Sequence, residues 1–119
     1  MKRILVVEDN QTNMYLVGFI LRKSGHEVIE ARTGEEGVEL AIKEKSDLVI
    51  MDLQLPGIDG LEATKRIRAS EANGELPIIA LTSYVMAGDK EKALKAGCTG
   101  YIEKPINPET FMAEIEKYL

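Results

Sequence analysis

The stretch Leu48-Val49-Ile50-Met51-Asp52-Leu53-Gln54-Leu55-Pro56-Gly57 runs apolar without a break, ends on a carboxylate, and turns at once through Pro-Gly. A short apolar run without polar alternation marks a strand covered on both faces, the situation in parallel sheets flanked by helices. Residues 4–7, 47–51 and 78–81 all fit that description. Residues 27–31 and 101–103 also read as strands but contain charges, which places them at the sheet edges.

Helical stretches fill the intervals. The first runs from Asn10 or Gln11 to Ser24 and stops at Gly25, and the second covers 33–45 behind the capping box Thr33-Gly34-Glu35-Glu36. Three more are predicted over 61–72, over 86–96 with a stop at Gly97, and over 108–119 with Asn107 as N-cap and Pro108 in the first helical position. Strict strand–helix alternation gives an α/β fold: a five-stranded parallel sheet with helices on both faces and right-handed crossovers. With the second and fifth strands at the edges the order 2-1-3-4-5 fits naturally, the flavodoxin-like arrangement, and residues 1–119 are expected to make one domain.

The bulk properties narrow the function classes. With 15 basic against 20 acidic residues the net charge is −5, which repels nucleic-acid phosphate and anionic lipid, and no basic patch offsets it. Cys98 is the only cysteine, so an internal disulfide and a multi-cysteine metal site are excluded; it sits among small residues and reads as a packed thiol in a reducing compartment. The N-terminus is apolar for only four residues before Glu8-Asp9, too short for a signal sequence or membrane span. A cytoplasmic protein is expected. His26 stands alone beside Gly25 and reads as an ordinary turn residue.

In such folds ligands bind beyond the carboxyl ends of the strands where the strand order reverses, here between the first and third strands. The residues at those ends are Glu8, Asp9 and Asn10; Asp52; Thr82 and Ser83; and Lys104 with Pro105. Taken singly, Asp9 or Asn10 reads as a helix cap, Thr82 as a strand end and Lys104 as a surface lysine. Asp52 is harder to dismiss, because beside Glu8 and Asp9 each close pair of like charges costs roughly 4 kcal/mol at an effective dielectric near 20. The cluster calls for a cation, and few hard oxygen ligands open to water suit Mg²⁺. Lys104 adds a fixed positive charge and Thr82 a hydroxyl donor, so the crevice suits a phosphoryl group held beside a carboxylate nucleophile, Asp52.

The quoted residues resemble the receiver domain of two-component response regulators along the entire chain. The matching pieces are Val6-Val7-Glu8-Asp9-Asn10, Met51 through Gly60, Ala80-Leu81-Thr82-Ser83 and Gly100-Tyr101-Ile102-Glu103-Lys104-Pro105. The resemblance implies that Asp52 accepts a phosphoryl group from a phosphohistidine of a sensor kinase or phosphotransfer protein. It implies Mg²⁺ held by Asp9, by Glu8 largely through water, by Asp52 and by the Gln54 carbonyl, with Thr82 and Lys104 on the phosphoryl oxygens and a cis Lys104–Pro105 bond. Glu8-Asp9 departs from the paired aspartates many members carry. Such a protein is a signalling switch that assists its own phosphorylation and dephosphorylation, not a conventional enzyme.

Signal output is expected through Thr82 and Tyr101, which alter the surface of the fourth helix, fifth strand and fifth helix for a downstream protein target. The fourth helix has mainly Ala87, Ala93, Leu94 and Ala96 as apolar residues and is anchored by little buried area. The first helix, with Met14, Tyr15, Leu16, Val17, Phe19, Ile20 and Leu21, is more apolar than one stripe requires. It is either a wide core-facing surface or a docking patch for a helix-bundle phosphodonor, centred on Asn13, Met14, Val17 and Pro105.

Three competing classes share the fold or the aspartate. A flavodoxin-like electron carrier needs a hydroxyl-rich phosphate loop where Glu8-Asp9-Asn10 stands, and a haloacid-dehalogenase-type phosphatase needs an acid where Gln54 stands. A phosphorylation-independent binding module has no use for the full set Asp9, Asp52, Thr82 and Lys104. Within the receivers, Asn13-Met14 and Met86-Ala87-Gly88-Asp89-Lys90 resemble stand-alone DivK-type regulators and receiver modules of hybrid kinases, and the chain is read as the former, a monomer or a phosphorylation-dependent dimer.

Overall fold

The computed structural model describes residues 1–70, 75–83 and 88–119. In chain order the elements are β1 (Arg3–Val7), α1 (Gln11–Lys23), β2 (Glu27–Ala31), α2 (Gly34–Lys43), β3 (Leu48–Asp52), α3 (Gly60–Ser70), β4 (Ile78–Thr82), α4 (Asp89–Ala96), β5 (Gly100–Glu103) and α5 (Pro108–Glu116). All strand pairs are parallel and the order is β2-β1-β3-β4-β5, as the sequence pattern predicts. β3 and β4 are buried along their whole length, whereas β2 and β5 keep Glu27, Glu30 and Glu103 in solvent at the two edges.

Alternate strand residues feed two cores, as the period-two geometry of a strand requires. Ile4, Val6, Leu48, Ile50, Ile79, Leu81 and Ile102 meet Met14, Val17, Ile20 and Leu21 of α1 and Phe111 and Ile115 of α5. The opposite faces of the same strands, with Leu5, Val7, Val49, Met51, Ile78 and Ala80, meet Ala63 and Ile67 of α3 and Ala93 of α4. Val38, Leu40 and Ala41 of α2 pack partly buried against that second core.

The helix starts carry the predicted caps. Asn10 accepts from the Asn13 N–H at 2.9 Å, Thr33 Oγ1 from Glu36 N–H at 3.0 Å, and Asn107 from Glu109 N–H at 2.9 Å, each relieving an amide that the first helical turn leaves unpaired. Glu36 reaches back one residue further than a standard box, to the Arg32 N–H at 2.7 Å. Gly25 and Gly97 follow α1 and α4 at φ 88° and 114°, the left-handed stop conformation.

Boundaries shift in places. β3 begins and ends one residue later than predicted: Asp47 flanks it, with its N–H on the Arg3 carbonyl at 2.7 Å and its carboxylate accepting the Arg3 N–H at 2.8 Å, and Asp52 joins the ladder opposite Leu81. β4 likewise extends to Thr82, and α2 and α5 end at Lys43 and Glu116, short of the predicted 45 and 119. The predicted end of α3 at 72 and start of α4 at 86 lie outside the described residues.

The two-core packing carries a test. Phe111, 1% exposed, is expected to cost about 3–5 kcal/mol of unfolding free energy when changed to Ala, a full aromatic cavity. Phe19, 51% exposed on α1, is expected to cost under about 1 kcal/mol. Urea denaturation of the two variants compares them directly.

Candidate functional site

The strand ladders continue one residue past the strands and so set the positions of the site residues. Glu8 N–H donates to the Ala31 carbonyl at 3.0 Å, Leu53 N–H to the Leu81 carbonyl at 2.9 Å, and Lys104 N–H to the Thr82 carbonyl at 2.8 Å. Asp52 and Thr82 are themselves the last residues of β3 and β4, with Asp52 in register with Leu81 and Thr82 with Glu103. Gly60 opens α3 against this point: a Cβ there would collide with the Asp52 carbonyl, so only glycine lets the chain return so close to the acidic cluster. The Lys104–Pro105 peptide bond is cis, as the resemblance implies.

Glu8, Asp9 and Asp52 each offer a carboxylate oxygen within 4.8 Å of the others. Glu8 and Asp52 are enclosed, at 0% and 1% exposure, while Asp9 opens to solvent. Lys104 Nζ reaches between the two enclosed groups, 3.0 Å from Glu8 Oε1 and 3.2 Å from Asp52 Oδ2. Backbone amides take the remaining oxygens: Asn10 N–H donates to Glu8 Oε2 at 3.2 Å and Gln54 N–H to Asp52 Oδ1 at 3.0 Å. Across the crevice the Gln54 side chain donates from Nε2 to Thr82 Oγ1 at 2.6 Å.

Burial, then the adjacent Asp52, push the Glu8 carboxyl up to about 7 against the opposing pull of Asn10 and Lys104. Burial works against the Lys104 ammonium, yet the hydrogen bonds and charges of Glu8 and Asp52 outweigh it and hold its pKa above the ordinary lysine value. Three carboxylates against one ammonium leave the cluster anionic. An all-oxygen donor set with one member open to water suits a hard divalent cation such as Mg²⁺.

The comparisons with known proteins agree on one family. Residues 4–116 match the family model for the response regulator receiver domain. The chain belongs to the receiver domain family. It is 42% identical over 118 residues to the polar-differentiation response regulator DivK of Brucella ovis, covering 99% of this chain and 96% of that protein. Among solved structures, chemotaxis protein CheY4 of Vibrio cholerae superposes with a TM-score of 0.94 at 31% identity, over 100% of this chain and 99% of that one. The receiver domain of sensor histidine kinase PA1611 from Pseudomonas aeruginosa PAO1, which has a magnesium ion coordinated in its active site cleft, superposes at 0.90 with 36% identity, over 98% of this chain and 96% of that one. Receiver domains are signalling switches and not conventional enzymes.

The receiver's structure brings Glu8, Asp9, Asp52, Gln54, Thr82 and Lys104 to one crevice. Tyr101 stands apart, half-buried on β5 beside a groove that also includes Glu103, Pro105 and Asn107. The predicted docking set divides. Asn13 and Pro105 do share an open groove, with Leu16, Ser83, Lys104 and Ile106. Met14 and Val17, at 1% and 0% exposure, instead belong to the core and cannot present side chains to a partner. Leu16 and Ile106 take their place in the groove. The signal was available in helical phase: Met14, Val17 and Leu21 form one inward stripe, which leaves Leu16 at its margin, half-buried.

The raised Glu8 pKa has a signed consequence for stability in metal-free protein. Glu8 binds its proton more tightly folded than unfolded, so its contribution favours the folded state at low pH and is lost as pH rises from the ordinary 4.5 to about 7. Glu8→Gln is therefore expected to be more stable than wild type at pH 8 by on the order of 1–3 kcal/mol, with the gap closing towards pH 5. Urea denaturation in the presence of a chelator at both pH values measures it.

Proposed function

We propose that the chain is a phosphorylation switch in which Asp52 accepts a phosphoryl group from a phosphohistidine on a sensor kinase or histidine phosphotransfer protein. The observation that carries this reading is an enclosed Asp52 carboxylate with Lys104 Nζ at 3.2 Å and two further carboxylates within 4.8 Å, a charge arrangement without use in a plain binding module. An Asp52 oxygen attacks phosphorus, the P–N bond breaks as the P–O bond forms, and the bonding pair returns to the imidazole nitrogen, which takes a proton. Positioning and charge neutralisation dominate such transfers. Lys104 and the Thr82 hydroxyl supply positive charge and a donor to the phosphoryl oxygens. Glu8, Asp9, Asp52 and the Gln54 carbonyl are the residues that would hold Mg²⁺, which when bound neutralises charge between carboxylates and phosphoryl group.

Output follows from Thr82 moving toward the new oxygens and Tyr101 responding on the neighbouring strand. α4 is held by Ala93 and Ala96 as its only buried residues among those described, while Leu94 stays exposed, so little apolar area resists its displacement. A downstream protein would read the resulting α4, β5 and α5 surface.

The first test is intact-mass measurement after incubation with acetyl phosphate. Wild type with Mg²⁺ is expected to gain one phosphoryl group, and Asp52→Asn or chelated wild type none; a gain that survives Asp52→Asn rules out this acceptor.

The Asn13, Leu16, Pro105 and Ile106 groove lies beside Lys104 and is the proposed seat of the phosphodonor's helices. Leu16→Glu is expected to slow transfer from a phosphorylated histidine phosphotransfer protein by tenfold or more, taking about 1.4 kcal/mol as a tenfold change. Labelling by acetyl phosphate should be unaffected; equal loss with both donors counts against docking there.

A further inference from the structure

Gln54 is tied to the site three times over. Its backbone N–H donates to Asp52 Oδ1 at 3.0 Å, which anchors the residue to the carboxylate at the end of β3. Its side chain then spans to the end of β4 and uses both ends of the carboxamide on consecutive residues: Nε2 donates to Thr82 Oγ1 at 2.6 Å, and Oε1 accepts the Ser83 N–H at 3.2 Å. Thr82 is enclosed and Ser83 exposed, so this carboxamide sits where the buried strand passes into the surface loop.

We propose that the Gln54 carboxamide is a latch that holds Thr82 and the Ser83 backbone in their unphosphorylated arrangement and so sets how readily the switch turns. The inference rests on the reading of Asp52 as phosphoacceptor. A two-point clasp on adjacent residues is not released one bond at a time: when the Thr82 hydroxyl is drawn toward phosphoryl oxygens, the short Nε2 contact stretches and the Ser83 amide is pulled from Oε1 with it. The unphosphorylated conformer holds these bonds and the phosphorylated one does not, so the latch biases the equilibrium toward the former. Gln54 is thus a positioning residue that acts through Thr82. Its carboxamide function is separate from that of its backbone, which keeps its contact with Asp52 whatever the side chain.

The test uses the full chain, isotopically labelled, with no phosphodonor. Gln54→Met keeps side-chain length and removes both carboxamide bonds, and Gln54→Ala serves as a second, smaller variant. The Ser83 amide is expected to exchange with solvent about three- to tenfold faster in both, the scale of one lost hydrogen bond. The Thr82 and Tyr101 resonances are expected to move along the same direction in which beryllofluoride with Mg²⁺ moves them in wild type. Unchanged Ser83 exchange, or shifts off that direction, overturns the latch while leaving Asp52 as acceptor. If beryllofluoride moves nothing in wild type, the phosphoacceptor reading itself fails, and the latch with it.

Discussion

The ammonium of Lys104 between two enclosed carboxylates, 3.0 Å from Glu8 and 3.2 Å from Asp52, is the interaction on which the rest of the site depends. Carboxylates crowded in a half-dry crevice repel one another, and burial raises the cost of keeping each ionised. One fixed cation makes the cluster tolerable without cancelling its charge. The residual negative charge is what a divalent cation would answer, and the Glu8 carboxyl, pushed up first by its burial and then by Asp52, shows what the crevice costs an ionised group.

That cluster needs a rigid frame, since like charges would otherwise move apart. The parallel ladder supplies it. Asp52 and Thr82 are in the ladder, and Glu8 and Lys104 are bonded to the neighbouring strand at the first residue beyond it. The two cores beneath clamp the sheet from both faces, with Phe111 and Ile115 filling one and Ile67 and Ala63 the other. The weakly packed parts are α4, where Ala93 and Ala96 are the buried residues among those described, and the loop end at Ser83, whose N–H donates to the Gln54 carboxamide.

Most of the fold was legible because its signals are local. Continuous apolar runs separated β1, β3 and β4 from the charged edge strands β2 and β5, and caps at Asn10, Thr33 and Asn107 marked helix starts. The acidic, hydroxyl and lysine residues of the site were equally legible, since strand alternation fixes which ends face the crevice. Met14 and Val17 were expected at the surface because residue type alone does not separate core from surface positions on α1. Met14 and Val17 are apolar like Leu16, but they are buried in the core with Phe111 and Ile115, whereas Leu16 packs only partly buried against that core and lines the groove.

The amino-acid sequence by itself determined the strand order, the pairing of helices with strands, and the identity of the residues gathered at the carboxyl end of the sheet, because these follow from periodicity and chain connectivity. Only the tertiary structure decided how those residues engage: that Lys104 bridges Glu8 and Asp52, that the exposed aromatics of α1 are Tyr15 and Phe19, and that Gln54 clasps Thr82 and Ser83. Such contacts join residues up to 96 positions apart along the chain, from Glu8 to Lys104, and they depend on side-chain reach across a formed sheet, which no local pattern encodes.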